Sequence, residues 1–432
     1  MQIIGIRYED KYKMERRVPL IPEHVKILSE AGLKFEVESS GKRIFTDEEF
    51  AEAGAEIVEK IDKAGFIMGV KEMPLDFFQE GKSYIFFSHV IKGQPYNMPM
   101  LRKMMAKKVN LIDYEKIVNE KGQRMIFFGR YAGIAGIINS FWALGQRWSR
   151  EGYQSPFLKL QQTHQYDSLD EAKDVIREIG DEIKSKGLKN AKAPVVVGIT
   201  GYGNASKGVQ DILELLPVVK ISPAELLQLE KKHIDNKVIY QVVFKEEDLF
   251  KPKKENVKFV LQEYYDFPER FESQFDQYIP HITVLMNCIY WNERYPRLVT
   301  KNFLNDLFSK GKPKFAVIGD VTCDVNGSIE CTHKGTEIED PVFVYNPITR
   351  TPTMGFDGEG VLVMAVDILP SELPREASKT FSDALLDFVP EIASADFEKP
   401  FSELKLSPPI KKALILHKGN FTPDYQYLEE FI

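Results

Sequence analysis

Between Gly198 and Gly208 the chain reads Gly198-Ile199-Thr200-Gly201-Tyr202-Gly203-Asn204-Ala205-Ser206-Lys207-Gly208. This run follows a β-branched stretch, Val195 to Ile199, and precedes a helical pattern from Val209 to Leu216. Glycines at a strand-to-helix turn permit a tight bend and let the backbone approach a pyrophosphate, whose charge then meets the free N–H groups of the helix. The spacing is Gly-x-Gly with four residues before Gly208, not the standard fingerprint, so its position between strand and helix carries the reading. Gly201, Gly203, Asn204, Ala205, Ser206 and Gly208 are the expected dinucleotide contacts; the bland alternative is a plain strand–helix turn. An acid about 20 residues further on would hold the ribose 2′-hydroxyl of NAD. There the chain offers Val219-Lys220-Ile221-Ser222, with Ser222 in the acid's place and Glu225 nearby. The expectation is therefore NADP(H), with NAD(H) as the alternative.

A second set of residues stands where strand-like runs end. Ile3 to Ile6 ends in Arg7, with Arg16 and Arg17 shortly after, and Phe66 to Val70 ends in Lys71-Glu72. Tyr84 to Phe87 ends in Ser88-His89, and Val109 to Ile112 ends in Asp113-Tyr114-Glu115. Ligands of open α/β sheets bind beyond the carboxyl ends of the strands, so parallel neighbours would bring these groups to one rim. Taken singly, Lys71 reads as a surface lysine and His89 as a satisfied histidine. Taken with a dinucleotide loop, they read as an acid–base site, since an amine or imidazole near pH 7 is a competent proton shuttle. Burial and the neighbouring Glu72 would tune Lys71 in opposite directions. Asp320, Cys323, Asp324, Cys331 and His333 match no zinc spacing, so no metal is expected. Neither a Gly-x-Ser-x-Gly elbow nor a Walker A run is present, which leaves hydrolase and nucleotidase readings without support.

The elements that must position these residues alternate. Pro22 to Ala31 and Asp47 to Ala53, with Thr46 as cap, read as helices between the strands. From Tyr131 a helical pattern runs through Phe141, Leu144 and Trp148, with small residues that suit close packing and a place between two α/β units. Ser168 to Lys186 is an amphipathic helix, Gly187 to Pro194 a polar linker, and Val195 opens a second α/β unit. Pro217 to Ile221, Ile282 to Met286, Phe315 to Ile318 and Gly360 to Val366 read as strands. Glu246 to Glu272 reads as a helical surface excursion and Pro374 to Phe388 as a helix. At 432 residues, 43% hydrophobic and 28% charged, the chain has material for two or three domains. The net charge of -7 comes from interspersed signs, which argues against a nucleic-acid partner. No apolar run approaches the roughly 20 residues of a membrane span. The apolar start is too short for a signal peptide, and three cysteines fit a reducing cytoplasm.

Eight runs carry a resemblance. They are Glu15-Arg16-Arg17-Val18-Pro19-Leu20, Lys71-Glu72-Met73-Pro74, Phe87-Ser88-His89, Tyr131-Ala132-Gly133, Gly201 to Gly208, Asn287-Cys288-Ile289-Tyr290-Trp291, Gly319-Asp320-Val321-Thr322-Cys323-Asp324 and Leu373-Pro374-Arg375-Glu376-Ala377. Spread in order over nearly the whole chain, they resemble the lysine-ketoglutarate reductases. These are the lysine-forming saccharopine dehydrogenases, with the reductase half of aminoadipic semialdehyde synthase, in the alanine dehydrogenase and transhydrogenase superfamily.

The resemblance implies an α/β fold of two Rossmann-like domains with a cleft between them. The first would be discontinuous, residues 1–135 and 346–432, and the second, 136–345, would bind the dinucleotide and carry the connector helix. It implies condensation of L-lysine with 2-oxoglutarate and reduction of the imine by a nicotinamide hydride to give saccharopine. By resemblance Lys71 and His89 are the acid–base pair, tuned by Glu72 and Glu115. The substrates' carboxylates need cations: Arg17 matches the oxo-acid position, with Lys92 and Arg124 as further candidates, and Asp367 suits the lysine ammonium. Asn287, Ile289, Tyr290 and Asp320 would approach the nicotinamide side. The chain departs from the family at Cys288, where glycine is commoner, and at Arg130, an unexpected charge that would alter oxo-acid preference. It ends at Ile432, so a separate saccharopine-cleaving enzyme is expected, and a homodimer stands as the candidate assembly. The competing readings are another amino-acid dehydrogenase of the alanine type and a non-catalytic nicotinamide or lysine sensor.

Overall fold

Short runs of largely apolar residues, buried on both faces, form the interior strands of this chain, the pattern that parallel sheets covered by helices require. The computed structural model describes residues 3–188, 194–229 and 235–432. It divides into two units, Met1–Phe128 with Pro374–Ile432, and Gly129–Leu373. Residues 189–193 of the expected Gly187–Pro194 linker lie outside the described residues.

The first unit holds an eight-stranded sheet. Its order is Asn420–Phe421, Leu414–His417, Asn110–Asp113, Ser83–Phe86, Phe66–Met68, Ile4–Ile6, Phe35–Glu38 and Glu56–Val58. The six strands from the N-terminal part run parallel. The two from the C-terminal segment extend the sheet antiparallel beyond Asn110–Asp113, so this domain is discontinuous. The helix Pro374–Leu385 binds the two parts together. Its Ser378 and Ser382 hydroxyls accept from the backbone N–H of Val18 at 2.9 Å and Ile21 at 3.1 Å, and Phe381 stacks on Phe128 at 4.3 Å. Thr46 caps Asp47–Glu52 in a reciprocal capping box with Glu49, as its position predicts.

The second unit holds another eight-stranded sheet. Its order is Thr351–Met354, Val342–Asn346, Val361–Met364, Val317–Asp320, Val284–Asn287, Val195–Thr200, Ile239–Phe244 and Val218–Lys220. Five neighbouring pairs are parallel, and the hairpin Val342–Asn346 with Thr351–Met354 adds an antiparallel edge. Both halves are thus Rossmann-like α/β layers.

The long helix, Gly129–Arg150, belongs to the second unit, the one expected to carry it. A β-carbon on its Gly133 would sit 1.9 Å from the Ala205 carbonyl oxygen, and one on Gly208 would sit 2.0 Å from that of Arg130. Only paired glycines let these two helix backbones touch. Several expectations need correction. The expected domain boundaries at 135/136 and 345/346 stand instead at Phe128/Gly129 and Leu373/Pro374, because Val342–Asn346 and Val361–Met364 pair into the second sheet. Glu246 to Glu272 is not one helical excursion. It is two short helices, Glu246–Leu249 and Leu261–Asp266, and a ribbon of Phe250–Pro252 with Phe271–Ser273, held by Phe250 and Tyr264 stacking at 4.8 Å. Ile239–Phe244, to which the sequence reading gives no element, is an interior strand. Among the described residues no helix is long and apolar enough to cross a membrane, and no group of three metal-ligating side chains forms.

Candidate active site

In the first unit, Ile4–Ile6, Phe66–Met68, Ser83–Phe86 and Asn110–Asp113 are consecutive parallel neighbours, so the loops after them share one rim. On that rim His89 Nδ1 lies 2.7 Å from Glu72 Oε1, and Lys11 Nζ reaches the same oxygen at 2.7 Å. Burial pushes the Glu72 carboxyl up, but the hydrogen bond and charge of His89, then those of Lys11, prevail and hold it down to about 2. An ionised carboxylate only accepts, so Nδ1 carries the hydrogen, and Nε2 is the nitrogen left to exchange a proton. His89 has φ 51°, a left-handed backbone that costs a residue with a side chain about 1–2 kcal/mol. Stacking on Phe87 at 6.3 Å and a 3.1 Å hydrogen bond from Asn97 Nδ2 to the His89 carbonyl hold it there.

Lys71 is placed by a buried carboxylate. Glu9 Oε1 accepts from the Val70 N–H at 2.6 Å and Oε2 from the Lys71 N–H at 2.9 Å. The Lys71 ammonium lies 5.7 Å from the Tyr12 ring centre. Burial and then the charge of Glu15 raise Glu9 to about 7, against the two backbone donors and Arg7. Burial also pushes Glu15 up, but Arg17 outweighs it and lowers Glu15. That pair is bidentate: Arg17 Nε to Oε1 at 2.7 Å and Nη2 to Oε2 at 2.6 Å, with the guanidinium 4.1 Å from the Phe128 ring centre.

Asp113, fully buried, accepts from the Ser88 N–H at 3.1 Å and the Ser88 hydroxyl, and burial followed by Glu115 raises it to about 6. Glu115 pairs with the exposed Arg124, and Lys92 is exposed. The structure therefore pairs Glu72 with His89 and sets Lys71, next to Glu72 in the chain, on the same rim. It sets Arg17 against Glu15, and Glu115 against Arg124. Sequence reasoning missed Glu9, Lys11 and Glu15. Glu9 was within reach of the strand-end rule, three residues past Ile6.

In the second unit the Val195–Thr200 strand turns through Gly201, at φ 80°, into the helix Asn204–Leu213. The helix cap is Gly203, which offers no side chain to the helix N–H groups, and nothing lies within 4 Å of where its β-carbon would be. A pyrophosphate fits that cradle. Beside it is a cavity of about 280 Å³ lined by Gly201, Tyr202, Gly203, Glu246, Tyr265, Ile289 and Tyr290 among others.

Ala205 and Gly208 sit instead against the long helix, and Ser206 is fully buried with its hydroxyl accepting from Gln210 at 3.2 Å. Ser222 is not beside the loop. It follows the edge strand Val218–Lys220, which Ile239–Phe244 separates from the glycine strand, and it caps the helix Pro223–Leu226. Asn287 and Asp320 are buried in one network, with Asn287 Nδ2 donating to Asp320 Oδ1 at 2.9 Å and Ser328 at 2.8 Å and Oδ1 accepting from Thr200 at 3.0 Å. They hold three strand ends in register and do not line the cavity. Asp367 is exposed, 3.7 Å from the Cys323 thiol. Arg130 makes a bidentate pair with Asp211, at 2.6 and 3.0 Å, between the two glycine-packed helices, which accounts for the charge.

The alanine dehydrogenase/PNT N-terminal domain model matches residues 5–135, and the alanine dehydrogenase/PNT C-terminal domain model matches residues 243–424. The chain is 38% identical, over 99% of its length, to an alpha-aminoadipic semialdehyde synthase of Arabidopsis thaliana, and it spans 41% of that relative. It is 27% identical to a saccharopine dehydrogenase (NAD(+), L-lysine-forming) of Emericella nidulans, over 89% of this chain and 90% of that one. A solved L-alanine dehydrogenase superposes with a TM-score of 0.63 at 18% identity over 99% of both chains, which establishes the shared fold.

Proposed function

We propose that this chain, which belongs to the alanine dehydrogenase/PNT family, joins the ε-amine of L-lysine to 2-oxoglutarate and reduces the imine to saccharopine, with the reverse reaction on the same site. The observation that carries the reading is the His89–Glu72 pair beside Lys71 on one sheet rim. The names of the relatives, one of them lysine-forming, support the substrate.

The condensation needs a neutral amine, a proton for the departing hydroxyl and a proton returned after reduction. His89, with Nδ1–H directed to the Glu72 carboxylate, takes a proton at Nε2 from the ε-ammonium, so the freed amine can attack the keto carbon. Lys71 gives a proton to the carbinolamine oxygen, which leaves as water as the C=N bond forms. Glu72 and Lys11 keep the imidazole in one tautomer and one orientation, and Glu9 fixes the Lys71 backbone. Arg17 takes a carboxylate of the oxo-acid through the part of its guanidinium not bound to Glu15, with Lys92 and Arg124 as further cations. Asp367 takes the lysine ammonium.

Gly201, Gly203 and the N-terminus of Asn204–Leu213 hold the pyrophosphate of a nicotinamide dinucleotide, which when bound supplies or accepts the hydride. A reducing cytoplasm is the setting, consistent with Cys288, Cys323 and Cys331 all being free. The working assembly we propose is a homodimer.

The test is product identification. Purified chain, L-lysine, 2-oxoglutarate and reduced nicotinamide cofactor are incubated and analysed by mass spectrometry. Saccharopine that requires all components is the expected result. Alanine from ammonia and pyruvate, with no saccharopine, would mean a different dehydrogenase. Tight cofactor binding without any product would mean a sensor.

A further inference from the structure

We propose that Glu246 recognises the adenosine ribose of the dinucleotide and selects NADH over NADPH, a proposal that rests on the reading of the glycine loop as the dinucleotide site. In dinucleotide folds the discriminating acid stands at the carboxyl end of the strand next to the glycine-loop strand, because the ribose lies over that edge. A count of about 20 residues from the loop substitutes for that position only when the next strand in sequence is also the next strand in space.

Here it is not. Val218–Lys220, the strand that follows the loop helix, pairs with Ile239–Phe244, and it is Ile239–Phe244 that pairs with the glycine strand from Val195↔Ile239 to Thr200↔Phe244. The Gly201 N–H donates to the Phe244 carbonyl at 2.9 Å, so the glycine turn begins alongside Phe244, two residues before Glu246. Glu246 lines the cavity that Gly201, Tyr202 and Gly203 also line.

The local chemistry fits a sugar diol and not a phosphate. Tyr265 Oη donates to Glu246 Oε1 at 2.8 Å and fixes the carboxylate, which has capacity for further donors such as ribose hydroxyls. The run Lys245-Glu246-Glu247-Asp248 sets three acids against one lysine. Lys220, the cation that sequence spacing places near the ribose, is on the edge strand and pairs with Glu214 at 2.9 Å. A 2′-phosphate, with about two negative charges, would be repelled by this rim. The preference expected from Ser222 is thereby reversed.

The experiment reads binding without turnover. Purified full-length chain is titrated with NADH and with NADPH by nicotinamide fluorescence, with ADP-ribose and its 2′-phosphorylated form as competitors. NADH is expected to bind at least about tenfold more tightly than NADPH, the scale of one charge-assisted hydrogen bond. Glu246→Gln should weaken NADH by about tenfold and leave NADPH unchanged or tighter, because the amide keeps the Tyr265 bond and loses the charge. Ser222→Ala should leave the ratio unchanged. A ratio untouched by Glu246→Gln, or tighter NADPH binding by the unaltered chain, would overturn the proposal while the glycine-loop reading stands. Binding of neither nucleotide would overturn both.

Discussion

His89 Nδ1 and Glu72 Oε1 are 2.7 Å apart, on the loops that follow two adjacent parallel strands. With Lys11 on the same oxygen, Glu72 stays ionised to about pH 2, burial notwithstanding. One ring nitrogen is thereby committed as a donor and the other kept for chemistry. Glu72→Gln keeps an acceptor opposite Nδ1 and removes the charge. We expect turnover to fall by about 10- to 100-fold, a part of the usual acid–base contribution, with nicotinamide affinity unchanged. Steady-state rates alongside fluorescence titration would check this, and equal losses in both would place Glu72 in binding instead.

Lys71→Met and His89→Gln should each lower turnover by about 10²- to 10⁴-fold while the cofactor still binds. Wild-type-like rates in both variants would remove the acid–base assignment.

Glu9 gives a pH dependence of defined sign. Its folded value, raised to about 7 from an ordinary 4.5, means that its contribution to stability is fully present below pH 4.5 and is lost as pH rises through 7. Relative to Glu9→Gln, the unaltered chain should lose on the order of 3 kcal/mol of unfolding free energy across that window. Urea unfolding at several pH values measures the difference. An unaltered chain that instead loses stability relative to Glu9→Gln as pH falls would contradict the assignment.

Gly208→Ala would place a β-carbon 2.0 Å from the Arg130 carbonyl oxygen, a backbone atom that cannot move aside alone. The two helices must separate, at about 1–3 kcal/mol, the cost typical of overpacking. Denaturant midpoints would show it, and nicotinamide affinity should fall too because the same helix carries the loop.

Arg130→Ala removes an ion pair whose side chains are 59% and 32% exposed. The expected stability change is below about 1 kcal/mol, with no change in oxo-acid preference. A switch in the preferred keto acid would restore the role that the sequence suggested.

How much of this was legible in the sequence follows from which rules are local. Lys71, Glu72 and His89 could be proposed as a group because a parallel sheet converts strand ends into a common rim, and their strands are consecutive neighbours. The glycine loop was legible as a strand-to-helix turn for the same reason, and Val195–Thr200 does turn through Gly201 into Asn204–Leu213. Ser222 was placed by spacing along the chain, which differs from adjacency in space, since its strand lies at the sheet edge. Ile239–Phe244 is a six-residue run of largely β-branched and aromatic residues and had the signal of a buried strand. Even so, sheet order is a property of long-range pairing, and the run itself does not state which strand it lies beside. Glu9 and Glu15 were illegible as a pair, because their opposite shifts arise from burial and from Arg17, neither of which spacing reveals.

The most direct test of the central claim is nicotinamide absorbance in a single cuvette holding the purified chain, L-lysine, 2-oxoglutarate and NADH. The account predicts steady oxidation that stops when either substrate is omitted and nearly stops in Lys71→Met and His89→Gln. A flat trace with every component present, or oxidation sustained by ammonia and pyruvate in their place, would contradict it.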